Sequence, residues 1–259
     1  MENFTDDEVM MMAIAFEDEE EDEDQTPPAK KKKSCRRWNF PNCLGTLDGK
    51  HIFIKKPPNS GTEFYNNKVD VGAKGRDSDG GIFANSNLGH AVENNNRSVP
   101  SDSILPGTDI GAPYVIVGDE AFPLKTYVMR PYPGQDLNNQ KRIFNYRLSR
   151  ARRTSENAFG ILTQKFRIFN RRMELDPAYA DKIVLATCIL HNFIRQYDGM
   201  QDVHSGEGPS HQHHLELAQL SKRGGNSSKS AFQVREIYEN YFNSEARAVP
   251  WQNESINNL

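Results

Sequence analysis

Three acidic residues stand where the sequence favours a shared chemical site: Asp48, Asp119 and Glu156. Asp119 follows the apolar, β-prone run 114–117 and a glycine, so we expect it where a buried strand ends, at the rim of an α/β sheet where ligands bind. Asp48 precedes the apolar residues 52–54, and Glu156 lies in a long basic helical segment. Carboxylate oxygens that converge from different elements are ligands for divalent cations. The three residues therefore predict a metal-dependent phosphoryl-transfer site.

Each acid also has a structural interpretation. Asp48, directly before Gly49, is typical of a turn. Asp119 is suited to capping the segment that follows it. Glu156 lies one helical turn after Arg152 and Arg153 and is suited to ion pairs with them. Spacing in the sequence does not show that the three side chains converge, so both interpretations stay open at this point.

Charge is strongly segregated along the chain, although the 259 residues carry a net charge of only -3. Residues 17–24 are almost wholly acidic, residues 30–37 are rich in Lys and Arg, and a second basic block covers 141–172. This asymmetry indicates nucleic acid as a partner. Contacts to DNA phosphates are expected from Lys141, Arg142, Arg147, Arg150, Arg152 and Arg153.

Composition divides the chain into four segments. Residues 1–37 predict a disordered arm, acidic and then basic, and residues 38–200 predict an ordered domain. Residues 201–230 predict a flexible linker, followed by a C-terminal helix and tail over 231–259. The cysteines lack CxxC spacing, which favours reduced thiols. The segment 30–37 is typical of a nuclear localisation signal, and the sequence shows no apolar run of membrane-spanning length and no signal peptide. We therefore expect a soluble protein of the nucleus, with the cytoplasm as the alternative.

Hydrophobic periodicity predicts the elements that would position the acids. The segment 127–134, rich in Pro and Gly, predicts an irregular connection. Strands are expected over Leu47 to Lys55 and Tyr114 to Val117, and helices over Gly81 to Glu93, Lys141 to Phe169, Pro177 to Tyr197 and Phe232 to Phe242.

A series of motifs, in a fixed order, occupies residues 38–200. They are Trp38–Cys43, Gly45–His51, Gly75–Gly81, Val117–Phe122, Met129–Pro133, Ile143–Arg153, Glu156–Leu162 and Leu190–Phe193. Together they resemble the PIF/Harbinger transposases and their domesticated relatives, the Harbinger transposase-derived nucleases, which are DDE superfamily endonucleases.

The resemblance implies an α/β fold with a ribonuclease H-like DDE catalytic core. It implies that Asp48 and Asp119 are the two aspartates, and Glu156 the glutamate, of a catalytic triad that binds Mg²⁺ or Mn²⁺. The implied activity is cleavage of DNA strands by metal-activated water. A Myb-like DNA-binding protein is the implied partner besides DNA.

The sequence departs from this family in two segments. Relatives carry a longer N-terminal region of helix-turn-helix character before Trp38. After Phe64–Lys68 they carry an apolar hairpin, whereas here Val69–Gly72 follows directly, so the core is expected to lack a hairpin of its central sheet. That loss would leave the strand of the first aspartate with an unpaired edge. The alternative function is a domesticated or truncated, non-catalytic nuclear protein that binds DNA or a partner.

Overall fold

The computed structural model describes residues 11–12, 39–50, 52–55, 79–94, 100–198, 227–245, 247–249 and 251–257. The strands are β1 (Met11–Met12), β2 (Cys43–Thr46), β3 (Gly49–Lys50), β4 (Ser103–Ile104), β5 (Gly111–Ala112), β6 (Val115–Val117) and β7 (Val128–Met129). The helices are α1 (Asp79–Asn85), α2 (Asn87–Glu93), α3 (Asn139–Lys165), α4 (Pro177–Asp198), α5 (Lys229–Asn243) and α6 (Gln252–Asn257). The protein is therefore a mixed α/β protein, as expected.

The central sheet has three parallel strands in the order β2, β6, β7. All three residues of β6 are buried. This explains its continuous apolar sequence, because parallel strands covered on both faces do not alternate between apolar and polar residues. β2 pairs with β6 through Cys43 opposite Val115 and Thr46 opposite Val117. The buried strand predicted just before Gly118 and Asp119 is confirmed.

The strand expected over Leu47 to Lys55 is wrong in position. The sheet strand lies earlier, at Cys43–Thr46, and the later residues leave the sheet. Gly49–Lys50 pair antiparallel with Met11–Met12, and Ile54 forms a single bridge with Met173. Ile52 and Ile54 are buried nonetheless, because they pack in a cluster that includes residues of α3 and α4. Their apolar character reflects contact with helices, which a strand pattern alone does not distinguish from pairing in a sheet.

β7 lies inside the segment expected to be irregular. Its two residues are buried and pair with Ile116 and Val117 of β6. Pro131 and Pro133, which suggested an irregular connection, follow the strand after its last paired residue. Proline lacks a backbone N–H, but at positions 131 and 133 this removes no hydrogen bond of the sheet.

The long helices agree with their predictions, with small shifts at the ends. α3 ends at Lys165 and is followed by a 3₁₀ turn over Arg167–Asn170, where a continuous helix to Phe169 was expected. The side chain of Asn138 caps α3 by accepting a 3.0 Å hydrogen bond from the Lys141 amide. The helix expected over 81–93 is divided into α1 and α2. The division occurs at Ser86, whose Oγ accepts a 3.0 Å hydrogen bond from the Gly89 amide and caps α2.

The main core lies between the sheet, α3 and α5. It includes Phe40, Val115, Phe144, Tyr238 and Phe242, and all five side chains are fully buried. The Phe40 ring lies 5.2 Å from the ring of Tyr238 and 4.9 Å from that of Phe242, measured between centroids. Residues that are about 200 positions apart in the sequence therefore pack in one core.

Several expectations concern residues outside the described ranges. In the expected arm, only residues 11–12 are described. Most of the expected linker lies outside the described ranges, and so do residues 64–72, where the hairpin was expected to be missing. Within the described part of the chain, β2 is an edge strand of the three-stranded sheet. None of the described helices is both long enough and apolar enough to cross a membrane.

Candidate functional site

Asp48 and Asp119 lie at the same edge of the sheet. Each follows one of the adjacent parallel strands β2 and β6, and the carboxyl ends of parallel neighbours meet at one edge. The Leu47 amide donates a 2.7 Å hydrogen bond to the Val117 carbonyl, which ties the two strand ends together. The expected convergence of the two aspartates is therefore present in the structure.

Asp119 makes a turn and still presents an oxygen to the site. Its Oδ1 accepts a 2.9 Å hydrogen bond from the Ala121 amide, which is the capping role considered from the sequence. Gly118 allows this turn to pack tightly, because a Cβ there would lie 2.8 Å from the Phe122 ring. Oδ2 lies 3.8 Å from Nη2 of Arg152. One oxygen of Asp119 therefore caps the turn, and the other is available to the candidate site.

Asp48 is held in a similar way from its own turn and from α3. Oδ1 accepts a 3.1 Å hydrogen bond from the Gly49 amide and lies 3.8 Å from Nη2 of Arg152. Oδ2 lies 3.5 Å from the hydroxyl oxygen of Ser155, which is fully buried. The Ser155 hydroxyl also donates a 2.8 Å hydrogen bond to the Arg152 carbonyl. Helix α3 therefore contacts the first aspartate through two side chains.

Arg152 is the cation of the site. One nitrogen, Nη2, lies 3.8 Å from Asp48 and 3.8 Å from Asp119. The Arg152 side chain is 20% exposed, and those of Asp48 and Asp119 are 16% and 28% exposed. The sequence suggested that Arg152 contacts DNA phosphates, and the structure instead shows it against both aspartates.

Burial dominates the electrostatics of Asp48. Loss of contact with water raises the pKa of its carboxyl above the ordinary value of 3.8, and the Arg152 guanidinium opposes this rise. The negative charges of Asp119 and Glu156 raise the pKa of Asp48 further, and the Gly49 amide lowers it. The effect of Glu156 indicates that all three predicted acids act on one neighbourhood.

Glu156 is exposed on α3, one helical turn after Arg152. Its charge reaches Asp48, but the described residues contain no group of three His, Cys, Asp or Glu side chains gathered closely enough to hold a metal ion. The structure thus places Asp48 and Asp119 against the Arg152 guanidinium, and Glu156 lies nearby on α3. The oxygen donors suit a hard divalent cation, and the space between the aspartates already accommodates a positive charge.

The remaining basic residues predicted to contact DNA occupy different environments. Arg147 is 3% exposed, and its Nη2 donates a 2.7 Å hydrogen bond to the Asn39 carbonyl. For this residue the prediction is wrong, because a buried guanidinium with protein acceptors cannot reach a phosphate. Arg150 lies over the Trp251 ring at 5.5 Å, and Lys141 over the Tyr132 ring at 5.2 Å. Arg142 is half-buried and Arg153 is exposed.

Comparison with known proteins agrees with the motif series. Residues 67–192 match the family model of the DDE superfamily endonucleases, a range that includes Asp119 and Glu156 and begins after Asp48. "Protein ALP1-like" from Arabidopsis thaliana is 27% identical over 204 residues, covering 70% of this chain and 49% of that protein. The chain therefore spans about half the length of this curated relative. No solved structure matches.

The matched range 67–192 contains the buried strand β6, Asp119 and the whole of α3. The resemblance to the DDE superfamily endonucleases is therefore confirmed over residues 67–192, where this chain matches their family model.

Proposed function

We propose that this protein is a divalent-metal-dependent DNA endonuclease of transposase descent, with a ribonuclease H-like core. One observation carries the proposal. Asp48 and Asp119, which follow adjacent parallel strands, each lie 3.8 Å from the same nitrogen of Arg152. In a chain with a DDE endonuclease segment, two carboxylates at one sheet edge are the arrangement expected of a cation site.

Asp48, Asp119 and Glu156 are the residues that would hold the cation. When bound, a divalent cation supplies Lewis-acid stabilisation of the phosphodiester and activation of the attacking water. The strand ends give the aspartates a rigid backbone, and the Ala121 and Gly49 amides orient one oxygen of each. Glu156 joins them from α3, where its exposed side chain is able to turn toward the sheet edge.

Arg153 and Arg142 are the residues that we assign to DNA phosphates. Both lie on α3, the helix that borders the aspartates, and both retain access to solvent. Phosphate contacts of this kind orient the duplex without reading its sequence. They would guide a scissile phosphate toward the sheet edge.

The test is a cleavage assay on supercoiled plasmid DNA with Mn²⁺, Mg²⁺ or EDTA. The wild type is compared with Asp119→Asn, which keeps the shape of the side chain and removes its charge. Glu120→Gln is the matched control, since Glu120 is the exposed neighbour and the change in charge is the same. We expect the wild type and Glu120→Gln to nick the plasmid only with metal, and Asp119→Asn to lose at least a hundredfold in rate.

Cleavage that persists in Asp119→Asn, or in EDTA, would refute the proposed site. A wild type that binds plasmid without nicking it under any metal condition would support the non-catalytic DNA-binding alternative. Thermal unfolding of the wild type and of each variant shows whether a loss of cleavage reflects a failure to fold.

We further propose that the protein acts in the nucleus with a Myb-like DNA-binding partner. The basic segment 30–37 supports nuclear import, and family resemblance supports the partner. A fluorescent fusion in which Lys30 to Lys33 are replaced by Ser tests the import signal. Retention of nuclear fluorescence in that variant would contradict it.

A further inference from the structure

Arg152 stands between the aspartates as a loosely held cation. Its Nη2 is equally far, 3.8 Å, from Oδ1 of Asp48 and Oδ2 of Asp119. This distance allows ionic attraction but exceeds that of a hydrogen bond, so no directional bond fixes the guanidinium to either carboxylate. The two contacts are nearly symmetric, which is the arrangement expected of a counter-ion shared by two anions.

The backbone that carries Arg152 is anchored by the buried face of α3. Ala151 and Ser155, on the buried face of α3, are 1% and 0% exposed. The Arg152 side chain is 20% exposed and leads from this anchored helix to the sheet edge. Movement of the guanidinium toward solvent therefore requires rotation about side-chain bonds only, without displacement of the helix.

The guanidinium and a divalent cation compete for the same space. Asp48 and Asp119 would supply oxygen ligands to the cation, and oxygen ligands approach Mg²⁺ to roughly 2.1 Å. The same two carboxylates face Nη2 of Arg152. A bound cation and the guanidinium would therefore repel each other in this partly buried site. The same two carboxylates repel each other when no cation lies between them.

We propose that Arg152 is the internal counter-ion of the two aspartates and is exchanged for the divalent cation when the site is loaded. The inference rests on the proposed metal site. Arg152 keeps the unloaded site neutral enough to stay assembled, and it lowers the apparent affinity for the cation because it must first leave. It is a positioning residue, acting on the substrate through Asp48 and Asp119.

Mn²⁺ titration by calorimetry tests the exchange. The proteins compared are the wild type, Arg152→Gln, Arg152→Lys and Arg153→Gln. Arg153 is the matched control, since it is the next residue on α3, carries the same charge and is exposed. We expect Arg152→Gln to bind Mn²⁺ about tenfold more tightly than the wild type, because two ion pairs no longer oppose loading. Arg152→Lys should restore wild-type affinity at least in part, and Arg153→Gln should not differ from the wild type.

Thermal unfolding without metal tests the counter-ion role separately. We expect Arg152→Gln to lower Tm in EDTA, and the deficit to disappear at saturating Mn²⁺. In an Asp119→Asn background the same substitution should lower Tm less, because one of the two anions is already absent. A residue that only stabilises the helix would lower Tm equally in all three conditions.

Equal or weaker Mn²⁺ binding by Arg152→Gln would overturn the exchange. A deficit in Tm that is unaffected by Asp119→Asn would overturn the counter-ion role. If no variant binds Mn²⁺ while the coupling between Arg152 and Asp119 persists in EDTA, the proposed metal site fails and the exchange fails with it, but the counter-ion role stands. These outcomes separate failure of the inference from failure of the proposed function.

Discussion

The backbone amide of Leu47 donates a 2.7 Å hydrogen bond to the carbonyl of Val117, joining the residue before Asp48 to the strand that leads to Asp119. Leu47 is fully buried, in a cluster that contains Phe83, Phe122 and Val128. The spacing of the two acidic residues therefore depends on apolar packing beneath the sheet edge as well as on their own contacts.

Leu47→Ala should lower the free energy of unfolding by about 2–5 kcal/mol, because it removes buried methyl groups and leaves a cavity under the site. Urea denaturation followed by circular dichroism measures the effect. Leu185→Ala is the control, since Leu185 is 50% exposed on α4. That variant should stay within about 0.5 kcal/mol of the wild type. Equal losses in both would contradict the assignment of Leu47 to the core.

The raised pKa of Asp48 predicts a pH dependence of stability without metal. Its carboxyl is more easily protonated in the folded than in the unfolded protein, so its favourable contribution is complete below pH 3.8 and is lost as the pH rises through the higher folded value. Asp48→Asn cannot ionise. The Tm of this variant in EDTA should therefore increase relative to that of the wild type as the pH rises from about 3 to 7.

Asp109→Asn, in an exposed loop, is the control for that comparison. Its Tm should run parallel to the wild-type curve. If instead the wild type gains stability relative to Asp48→Asn with rising pH, attraction by Arg152 outweighs burial at this carboxyl.

Arg147→Gln should destabilise the fold by about 1–3 kcal/mol, since it removes charged hydrogen bonds from a buried site. Arg147 joins the Asn39 carbonyl to the Gln252 side chain, and its guanidinium lies 4.7 Å from the centre of the Phe242 ring. Urea denaturation is the measurement, and the exposed Arg153→Gln is the control. No loss of stability in Arg147→Gln would contradict its structural role.

The salt dependence of DNA binding should depend on Arg153 and not on Arg147, whereas the stability of the fold should depend on Arg147 and not on Arg153. Arg153→Gln should reduce the slope of log K against log salt concentration by about 1, because one phosphate contact is lost. Arg147→Gln should leave the slope unchanged. Fluorescence anisotropy with a labelled duplex at several salt concentrations gives both slopes, and a reduced slope for Arg147→Gln would count against its burial in solution.

Gln252→Ala should detach the C-terminal helix α6 from α3. Gln252 is 2% exposed, accepts hydrogen bonds from the Val249 amide and Arg147, and donates one of 3.3 Å to the Phe242 carbonyl. We expect a loss of about 1–3 kcal/mol and faster proteolysis of the tail. Asn253→Ala, at the exposed next position, should be neutral. Similar proteolysis of both variants would disprove this anchoring.

Local sequence signals predicted the elements whose pattern is long or continuous. The apolar run of β6 is an example, because all three of its residues are buried. The long helices α3 and α4 are two more: α3 has buried residues from Ile143 to Leu162, and α4 is buried at Ala180, Val184 and Thr187.

β2 and β7 were missed. They are two to four residues long, β2 contains Gly45, and β7 ends two residues before Pro131. Pairing with β6 therefore decides their structure, and local propensity does not.

The candidate site shows the same division. Asp48 and Asp119 were identified because short motifs carry them, but the contact of Arg152 with both was not. A long side chain on a helix reaches different partners depending on how the helix packs. The spacing of Arg152, Ser155 and Glu156 would have placed them on one face of α3. Which of them meets the sheet edge depends on the burial of Ala151 and Leu148, which sequence spacing does not give.

The meeting of Phe40 with Tyr238 and Phe242 has a consequence for synthesis of the chain. α5 supplies one wall of the core, so β2 and α3 have no complete apolar environment until that helix has left the ribosome. Contacts between such distant segments slow folding and leave apolar surface exposed in the meantime. A ribosome-bound chain that ends before α5 should therefore expose this apolar surface and bind chaperones, whereas a chain that includes α5 should not.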